Sequence, residues 1–218
     1  MSDAGTHPND GTSIARSRQR WDIDGRAAGA GAADAGAGTA GAGAEELVGL
    51  LRDAEPRAGR TRVLAIDGRS GSGKTTLAGQ VVDATGAPLV RLEDLYGGWD
   101  GLEYGIDLLV SAVLEPLARD ETAFVPHYDW IKDSWDEPAP LARPEFLVVE
   151  GVGAGARRAA RYESVVAWVE LPTVVRQRRA FQRDGDLYAP NWERWARQEE
   201  EMLAREGTPE RADVVVSC

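Results

Sequence analysis

The sequence is poor in cysteine and lysine and has no long apolar run. Its single cysteine is Cys218, which excludes a disulfide framework and a cysteine-rich zinc site. No segment approaches the roughly 18 consecutive apolar residues of a membrane helix, and the N-terminal region has no apolar segment of a secretory signal. We therefore expect a cytoplasmic protein without a membrane partner.

Basic charge is also scarce relative to acidic charge. The chain has 25 lysine and arginine residues against 36 aspartate and glutamate residues, a net charge of −11. A nucleic-acid-binding protein needs a basic surface that displaces counterions from phosphates, so we expect no nucleic-acid partner. A small-molecule ligand is the remaining expectation, and a homo-oligomer stays open. Only Lys74 and Lys132 are lysines.

The length of 218 residues suits one domain with a tail. Residues 27–44 are alanine or glycine except Asp34 and Thr39, and cannot build a core. We predict a disordered tail over residues 1–44 and a folded domain over residues 45–218. An alternative for the tail is a docking arm that uses Arg16, Arg18, Arg20 and Trp21.

Strand and helix patterns alternate through the domain. Short apolar runs predict strands at residues 62–66, 88–92, 145–149, 165–171 and 212–216. Helical periodicity predicts helices at residues 45–55, 75–84, 106–119, 173–183 and 192–205. Such alternation predicts an α/β fold with a parallel sheet covered on both faces, which binds ligands beyond the carboxyl ends of its strands.

The strongest motif follows the first of these strands. The segment GRSGSGKT, from Gly68 to Thr75, fits the phosphate-loop pattern G-x-x-x-x-G-K-[ST] in full. Its glycines allow backbone N–H groups to converge on a phosphate, and the next helix adds its positive end. We expect ATP on these residues, with Lys74 at the β- and γ-phosphates and Thr75 on Mg²⁺. The predicted nucleotide-binding residues are Gly68, Ser70, Gly71, Ser72, Gly73, Lys74, Thr75 and Thr76.

A carboxylate follows the second predicted strand. Asp94 lies just past residues 88–92, at the edge where a parallel sheet presents its ligands. There it could accept the proton of an attacking hydroxyl group. The position alone fits a helix-capping or turn aspartate equally well.

Five segments together resemble the uridine kinase branch of the nucleoside and nucleoside-monophosphate kinases, which has a three-layer P-loop fold. They are GRSGSGKTT, LEDLYGGWDGL, HYDW, LVVEG and the arginine-rich stretch after WVELP. The resemblance implies that Asp94 is the general base, in an element that includes Tyr96. It also implies that Tyr128, Asp129 and Trp130 help form a nucleoside pocket, and that Glu150 holds Mg²⁺.

An arginine cluster lies on the helix predicted at residues 173–183. Arg176, Arg179 and Arg183 have the i, i+3, i+7 spacing that places them on one helix face. Guanidinium groups stabilise the charge of a moving phosphoryl group, so we predict a catalytic role for these three. In kinases of this shape such a helix leads into a lid, for which residues 184–191 are suited. The alternative is a solvated face of an arginine-rich protein.

Aromatic residues are concentrated in the segments that would flank the acceptor. Together they favour an acceptor with a planar or ring-shaped part, and the predicted acceptor-binding residues are Asp94, Tyr96, Trp99, Tyr128 and Trp130. The sequence thus predicts an ATP-dependent kinase, with a nucleoside such as uridine or cytidine as first candidate. A non-nucleoside acceptor and a nucleotide-binding regulatory ATPase module remain alternatives.

Overall fold

The computed structural model describes the backbone of residues 19–22 and 42–217. Side chains are described over residues 43–217, apart from residues 183, 184 and 186–188. Most of the predicted tail therefore lies outside the described residues, as does Cys218.

Ten strands and seven α-helices make up the described part of the chain. The strands are β1 (Gln19–Asp22), β2 (Arg62–Asp67), β3 (Leu89–Arg91), β4 (Ala123–Val125), β5 (Tyr128–Asp129), β6 (Ser134–Trp135), β7 (Ala139–Leu141), β8 (Phe146–Glu150), β9 (Val165–Glu170) and β10 (Val214–Ser217). The helices are α1 (Ala42–Asp53), α2 (Lys74–Thr85), α3 (Leu102–Leu108), α4 (Glu115–Ala118), α5 (Thr173–Tyr188), α6 (Trp192–Glu206) and α7 (Thr208–Arg211). None of the helices described here is long and apolar enough to cross a bilayer.

The central sheet is parallel and has the order β1-β10-β9-β2-β8-β3. Strand β2 lies inside the sheet, with β8 on one side and β9 on the other. From β2 the chain crosses to β3 at one edge of the sheet and returns to β8 beside β2. It then continues to β9 on the other side of β2, so the connections run to opposite sides of β2. This divergence opens a crevice at the carboxyl ends, where ligands of such sheets bind. The predicted α/β fold with a parallel sheet is confirmed.

Two apolar layers cover the faces of this sheet. Along β2, Leu64 and Ile66 face a layer that includes Leu47 of α1 and Leu77 of α2. The alternate residues of β2, such as Val63, face the second layer, to which α6 and the helical segment after residue 101 contribute. Because successive side chains of a strand point to opposite faces, burial on both sides explains why these strands are continuous apolar runs.

Several elements differ from the sequence prediction, which includes none of the four short strands β4 to β7. Strand β1 pairs with β10 at the sheet edge, within the segment predicted as tail, and its four residues carry no apolar pattern that would indicate a strand. Helix α1 begins at Ala42, ahead of the predicted boundary at residue 45. The helix predicted at residues 106–119 begins at Leu102 and includes a π-helical segment, Leu109–Leu114. Helix propensity does not distinguish π from α turns, so the sequence could not predict this segment.

Glu163, just before β9, is a buried carboxyl group, and neither of its oxygens has a hydrogen-bond partner. Burial raises its pKa well above the usual value. The negative charges of Asp67 and Asp213 raise this pKa further, whereas the positive charges of Arg211 and Arg57 lower it. The folded state therefore holds this proton more tightly than the unfolded state, and stability falls as pH rises above the unfolded pKa, by about 1.4 kcal/mol per unit until the folded pKa is reached.

We expect Glu163→Gln to remove this loss, because glutamine needs no proton to stay neutral. Urea unfolding from pH 5 to pH 8 should show the free energy of unfolding falling less in the variant than in the native chain. Glu137→Gln, at an exposed position, is the matched control. Equal pH slopes in Glu163→Gln and the native chain would contradict the assignment.

Candidate active site

The phosphate loop connects β2 to α2 and takes its shape from three glycines. Gly71 and Gly73 have φ values of 78° and 102°, and Gly68 has 153°, a region that favours glycine. A Cβ atom on Gly68 would lie 2.6 Å from the Val169 carbonyl oxygen. The glycines therefore supply both the backbone turns and the close approach that the motif predicts.

The loop has the properties of a phosphate cradle. Ser72 is buried, and its hydroxyl has no hydrogen-bond partner. Lys74 is the first residue of α2, where helix N–H groups have no intrahelical acceptor, and its Nζ lies 3.1 Å from the Arg69 carbonyl oxygen that it donates to. An ammonium group, an orphaned hydroxyl group and a helix N-terminus together fit a phosphate group. Thr76 follows on the exposed side of the same turn.

Thr75 and Glu150, the two predicted metal ligands, lie in contact. The Thr75 hydroxyl donates to Glu150 Oε1 at 3.2 Å, and the Glu150 side chain is buried at the end of β8. Among the described residues no group of three or more histidine, cysteine, aspartate or glutamate side chains could hold a metal ion. Mg²⁺ is commonly held by one or two protein oxygens with waters and substrate phosphates, so this pair fits it.

Asp67, the last residue of β2, was not predicted from the sequence. Its carboxylate is fully buried and accepts backbone N–H groups from Gly68, Gly153 and Gly155 at 2.7, 2.9 and 3.0 Å. Burial raises its pKa to about 6, although these three N–H groups and Lys74 act in the opposite direction. Asp67 thereby joins the phosphate loop to the loop after β8, which begins beside Glu150.

Asp94 lies in a 3-10 helix, Leu92–Leu95, that follows β3 directly. Because Arg91 is in register with Glu150 of β8, this turn begins beside the predicted metal ligands. The Asp94 side chain is 33% exposed, and one of its oxygens lies 3.8 Å from His127 Nε2. Partial burial raises the pKa of Asp94, while His127 and Arg91 lower it. The other ring nitrogen of His127 lies 3.3 Å from Asp136.

The hairpin of β5 and β6 carries the predicted nucleoside-pocket residues. The Tyr128 ring is buried, and its hydroxyl donates to Asp133 within the hairpin. Asp129 accepts a hydrogen bond from Lys132 Nζ at 2.8 Å. This bond, together with hydrogen bonds from the backbone N–H groups of Ile131 and Lys132, lowers the pKa of Asp129 to about 2. The polar atoms of this element therefore stabilise the hairpin itself.

Seven aromatic rings form a continuous series that begins in α3, passes through this hairpin and ends directly after the 3-10 helix that carries Asp94. Centroid distances between successive rings range from 4.8 to 6.2 Å. In order, the rings are Tyr104, Trp135, Tyr128, Trp130, Trp99, Trp195 and Tyr96. Trp130 and Trp99 are half-buried, and Trp130 Nε1 donates to the Glu93 carbonyl oxygen at 3.0 Å, beside Asp94.

Tyr96 occupies a different environment from the one predicted. Its ring is buried against Trp195, and its hydroxyl donates to the Val152 carbonyl oxygen at 3.0 Å. The structure therefore places Tyr96 in the core behind the site, where it supports the loop after β8, rather than at an acceptor surface.

The three predicted catalytic arginines do not share one environment. Arg176 is buried, and its guanidinium group donates to Leu171, Ser70 and Thr173 at 3.1 Å each. Arg179 is exposed on α5. The Arg183 side chain lies outside the described residues. Arg176 therefore braces the phosphate loop in this structure, a different position from the predicted contact with a moving phosphoryl group.

Two solved structures share this fold. A possible uridine kinase from Bacillus stearothermophilus has a TM-score of 0.56 and 20% identity, over 79% of this chain and 96% of that one. A putative fructose transport system kinase from Silicibacter sp. TM1040 has a TM-score of 0.55 and 20% identity, over 79% and 97% of the two chains. The sequence matches no protein-family model and no curated protein.

These similarities show the fold alone, an α/β domain with a parallel sheet. At 20% identity they do not show what the chain acts on, and the two neighbours carry different names, a uridine kinase and a fructose transport system kinase.

Proposed function

We propose that the chain is an ATP-dependent kinase that phosphorylates a hydroxyl group of a small, ring-bearing molecule. The observation that carries the proposal is the arrangement at the carboxyl edge of the sheet. The phosphate loop follows β2, Glu150 ends the adjacent β8 in contact with Thr75, and Asp94 follows β3 beside it. A module that only binds nucleotide has no need of a carboxylate at the position of Asp94.

The residues divide the reaction between them. Lys74 and the N–H groups of the loop bind the phosphates of ATP, and Thr75 with Glu150 would hold Mg²⁺, which offsets phosphate charge when bound. Asp94 accepts the proton of the acceptor hydroxyl group while the oxygen of that hydroxyl group forms a bond to the γ-phosphorus. The bond between that phosphorus and the β–γ bridging oxygen breaks, and ADP leaves with the electron pair.

A nucleoside is the first acceptor candidate, because half-buried Trp99 and Trp130 lie beside the turn that carries Asp94. A specific observation favours a second candidate, a sugar or another non-nucleoside alcohol. Tyr128 and Asp129, which the resemblance implies as pocket residues, bond within their own hairpin. One structural neighbour is a possible uridine kinase and another a putative sugar-system kinase, at nearly equal TM-scores of 0.56 and 0.55.

A coupled assay of ADP release tests the proposal. Native chain with Mg-ATP is measured against a panel of nucleosides, sugars and vitamin precursors. Stimulation by uridine or cytidine supports the nucleoside, and stimulation only by sugars or other alcohols supports the second candidate. ATP binding without stimulation by any acceptor would support the regulatory ATPase module instead.

Glu150→Gln should raise the Mg²⁺ concentration for half-maximal activity by about 10–100-fold, the usual cost of losing a metal-site partner. Glutamine keeps the size of the side chain and an oxygen for Thr75, but lacks the charge. A Mg²⁺ titration at saturating ATP measures the effect, with Glu145→Gln, at the exposed position directly before the same strand, as control. An unchanged Mg²⁺ requirement would remove Glu150 from the metal site.

A further inference from the structure

All three polar groups of Ser70, in the middle of the phosphate loop, are held by side chains from the last two long helices. Its N–H donates to Glu199 Oε1 at 2.9 Å, and its carbonyl oxygen accepts Arg176 at 3.1 Å. Its hydroxyl accepts Trp195 Nε1 at 3.0 Å. Arg176 belongs to α5, whereas Trp195 and Glu199 belong to α6. Two helices that follow the loop by more than 100 residues thus fix the position of one serine.

The side chains that hold Ser70 are withdrawn from water. Glu199, Arg176 and Trp195 are only 1%, 2% and 4% exposed. The charge of Glu199 is matched by Arg69, whose Nε lies 3.2 Å from Glu199 Oε2 and which belongs to the phosphate loop itself. Buried, charge-assisted hydrogen bonds of this kind are strong and directional, and removal of one partner leaves the other buried without compensation.

The loop backbone also lies directly on α5. A Cβ atom on Gly71 would stand 2.2 Å from the Arg176 carbonyl oxygen, so only glycine permits this approach. Near the end of α5, Gly185 interrupts the helical geometry with φ 51° and ψ −128°. The segments on either side of this interruption therefore both carry contacts to the phosphate loop.

A phosphate loop binds anions well only when its N–H groups already converge, because ordering a glycine-rich segment during binding costs conformational entropy. A buried carboxylate that receives the Ser70 N–H and the Arg69 guanidinium fixes one side of the loop before nucleotide arrives. The first turn of α2 fixes the other side.

We propose that Glu199 is a positioning residue for nucleotide binding, which presets the phosphate loop through Ser70 and Arg69 and makes α6 a part of the nucleotide site. The inference rests on the nucleotide-binding part of the proposed function. It concerns the affinity for nucleotide and not the chemical step, so loss of Glu199 should raise the KM for ATP and leave kcat at saturating ATP within about twofold.

Calorimetric titration of the full chain with ADP tests the inference directly. Glu199→Ala should weaken ADP binding by about tenfold or more, and Glu199→Gln, which retains an acceptor for the Ser70 N–H, should lie between it and the native chain. Glu200→Ala, at an exposed position on the same helix, is the matched control and should bind ADP as the native chain does. Trp195→Phe, which keeps the ring but loses the Nε1 donor to Ser70, is the second variant if Glu199→Ala fails to fold.

The outcomes separate the two claims. Native-like ADP affinity in folded Glu199→Ala, or in both Glu199→Gln and Trp195→Phe, would overturn the positioning role. Tighter ADP binding in these variants would overturn it as well, because Glu199 would then act as an anion that competes with phosphate. A native chain that binds no ADP would overturn the proposed function, and the inference with it.

Discussion

Asp94→Asn should lower kcat by about 10²–10⁴-fold, the usual contribution of a positioned general base. Asparagine keeps the shape of the side chain but cannot take the acceptor proton, while the phosphate loop and Thr75–Glu150 pair are untouched. ADP affinity should therefore be unchanged. Steady-state kinetics with the stimulating acceptor measure the effect, and Glu93→Gln, the exposed neighbouring carboxylate, should retain native kcat. Full activity of Asp94→Asn would contradict the role of Asp94 as base.

The pH dependence of the native chain gives an independent view of this base. Because partial burial raises the pKa of Asp94, the acid limb of kcat/KM should lie above the usual range of an aspartate. His127 is among the groups that lower this pKa, so His127→Gln should move the acid limb to still higher pH. An acid limb that does not respond to His127→Gln would separate this histidine from the base.

Lys74→Ala should reduce kcat/KM for ATP by at least about 100-fold, the scale on which loss of one preorganised charged donor acts in phosphoryl transfer. The ammonium group donates to the Arg69 carbonyl oxygen of the loop, so its removal takes away a phosphate partner and loosens the loop. Lys132→Ala is the matched control, since the chain has only these two lysines and Lys132 pairs with Asp129 on the hairpin.

ADP titration distinguishes the expected result from a general loss of structure. Lys74→Ala should keep a native thermal transition and lose nucleotide affinity, whereas Lys132→Ala should keep the affinity. Equal ADP affinity in Lys74→Ala and the native chain would contradict the assignment of the loop as the phosphate site.

The sequence predicted the sheet well because its strands are buried on both faces and therefore appear as continuous apolar runs. The phosphate loop was predictable because its function requires glycines and a lysine at fixed spacing. Strands β4 to β7 span only two or three residues each, too few for any periodicity to appear. Strand β1 has no apolar pattern either, so its pairing with β10 could not be anticipated.

The residues that support the site were much harder to predict. Glu199 stands in a run of three glutamates, and its neighbours in sequence give no sign that it alone is buried against a loop 129 residues away. Arg176 was predicted from charge and spacing, but those patterns do not show which arginine of a helix faces the protein. Asp67 directly precedes the first glycine of the motif, and that position was the one signal that could have indicated it.

The most direct test of the central claim is phosphorus NMR of Mg-ATP with the native chain and the acceptor that stimulates ADP release. The account predicts that the γ-phosphate signal is replaced by that of a phosphate monoester of the acceptor, in equal amount to the ADP formed. Inorganic phosphate in equal amount to the ADP formed, with no monoester signal, would contradict it and indicate a nucleotide-hydrolysing module.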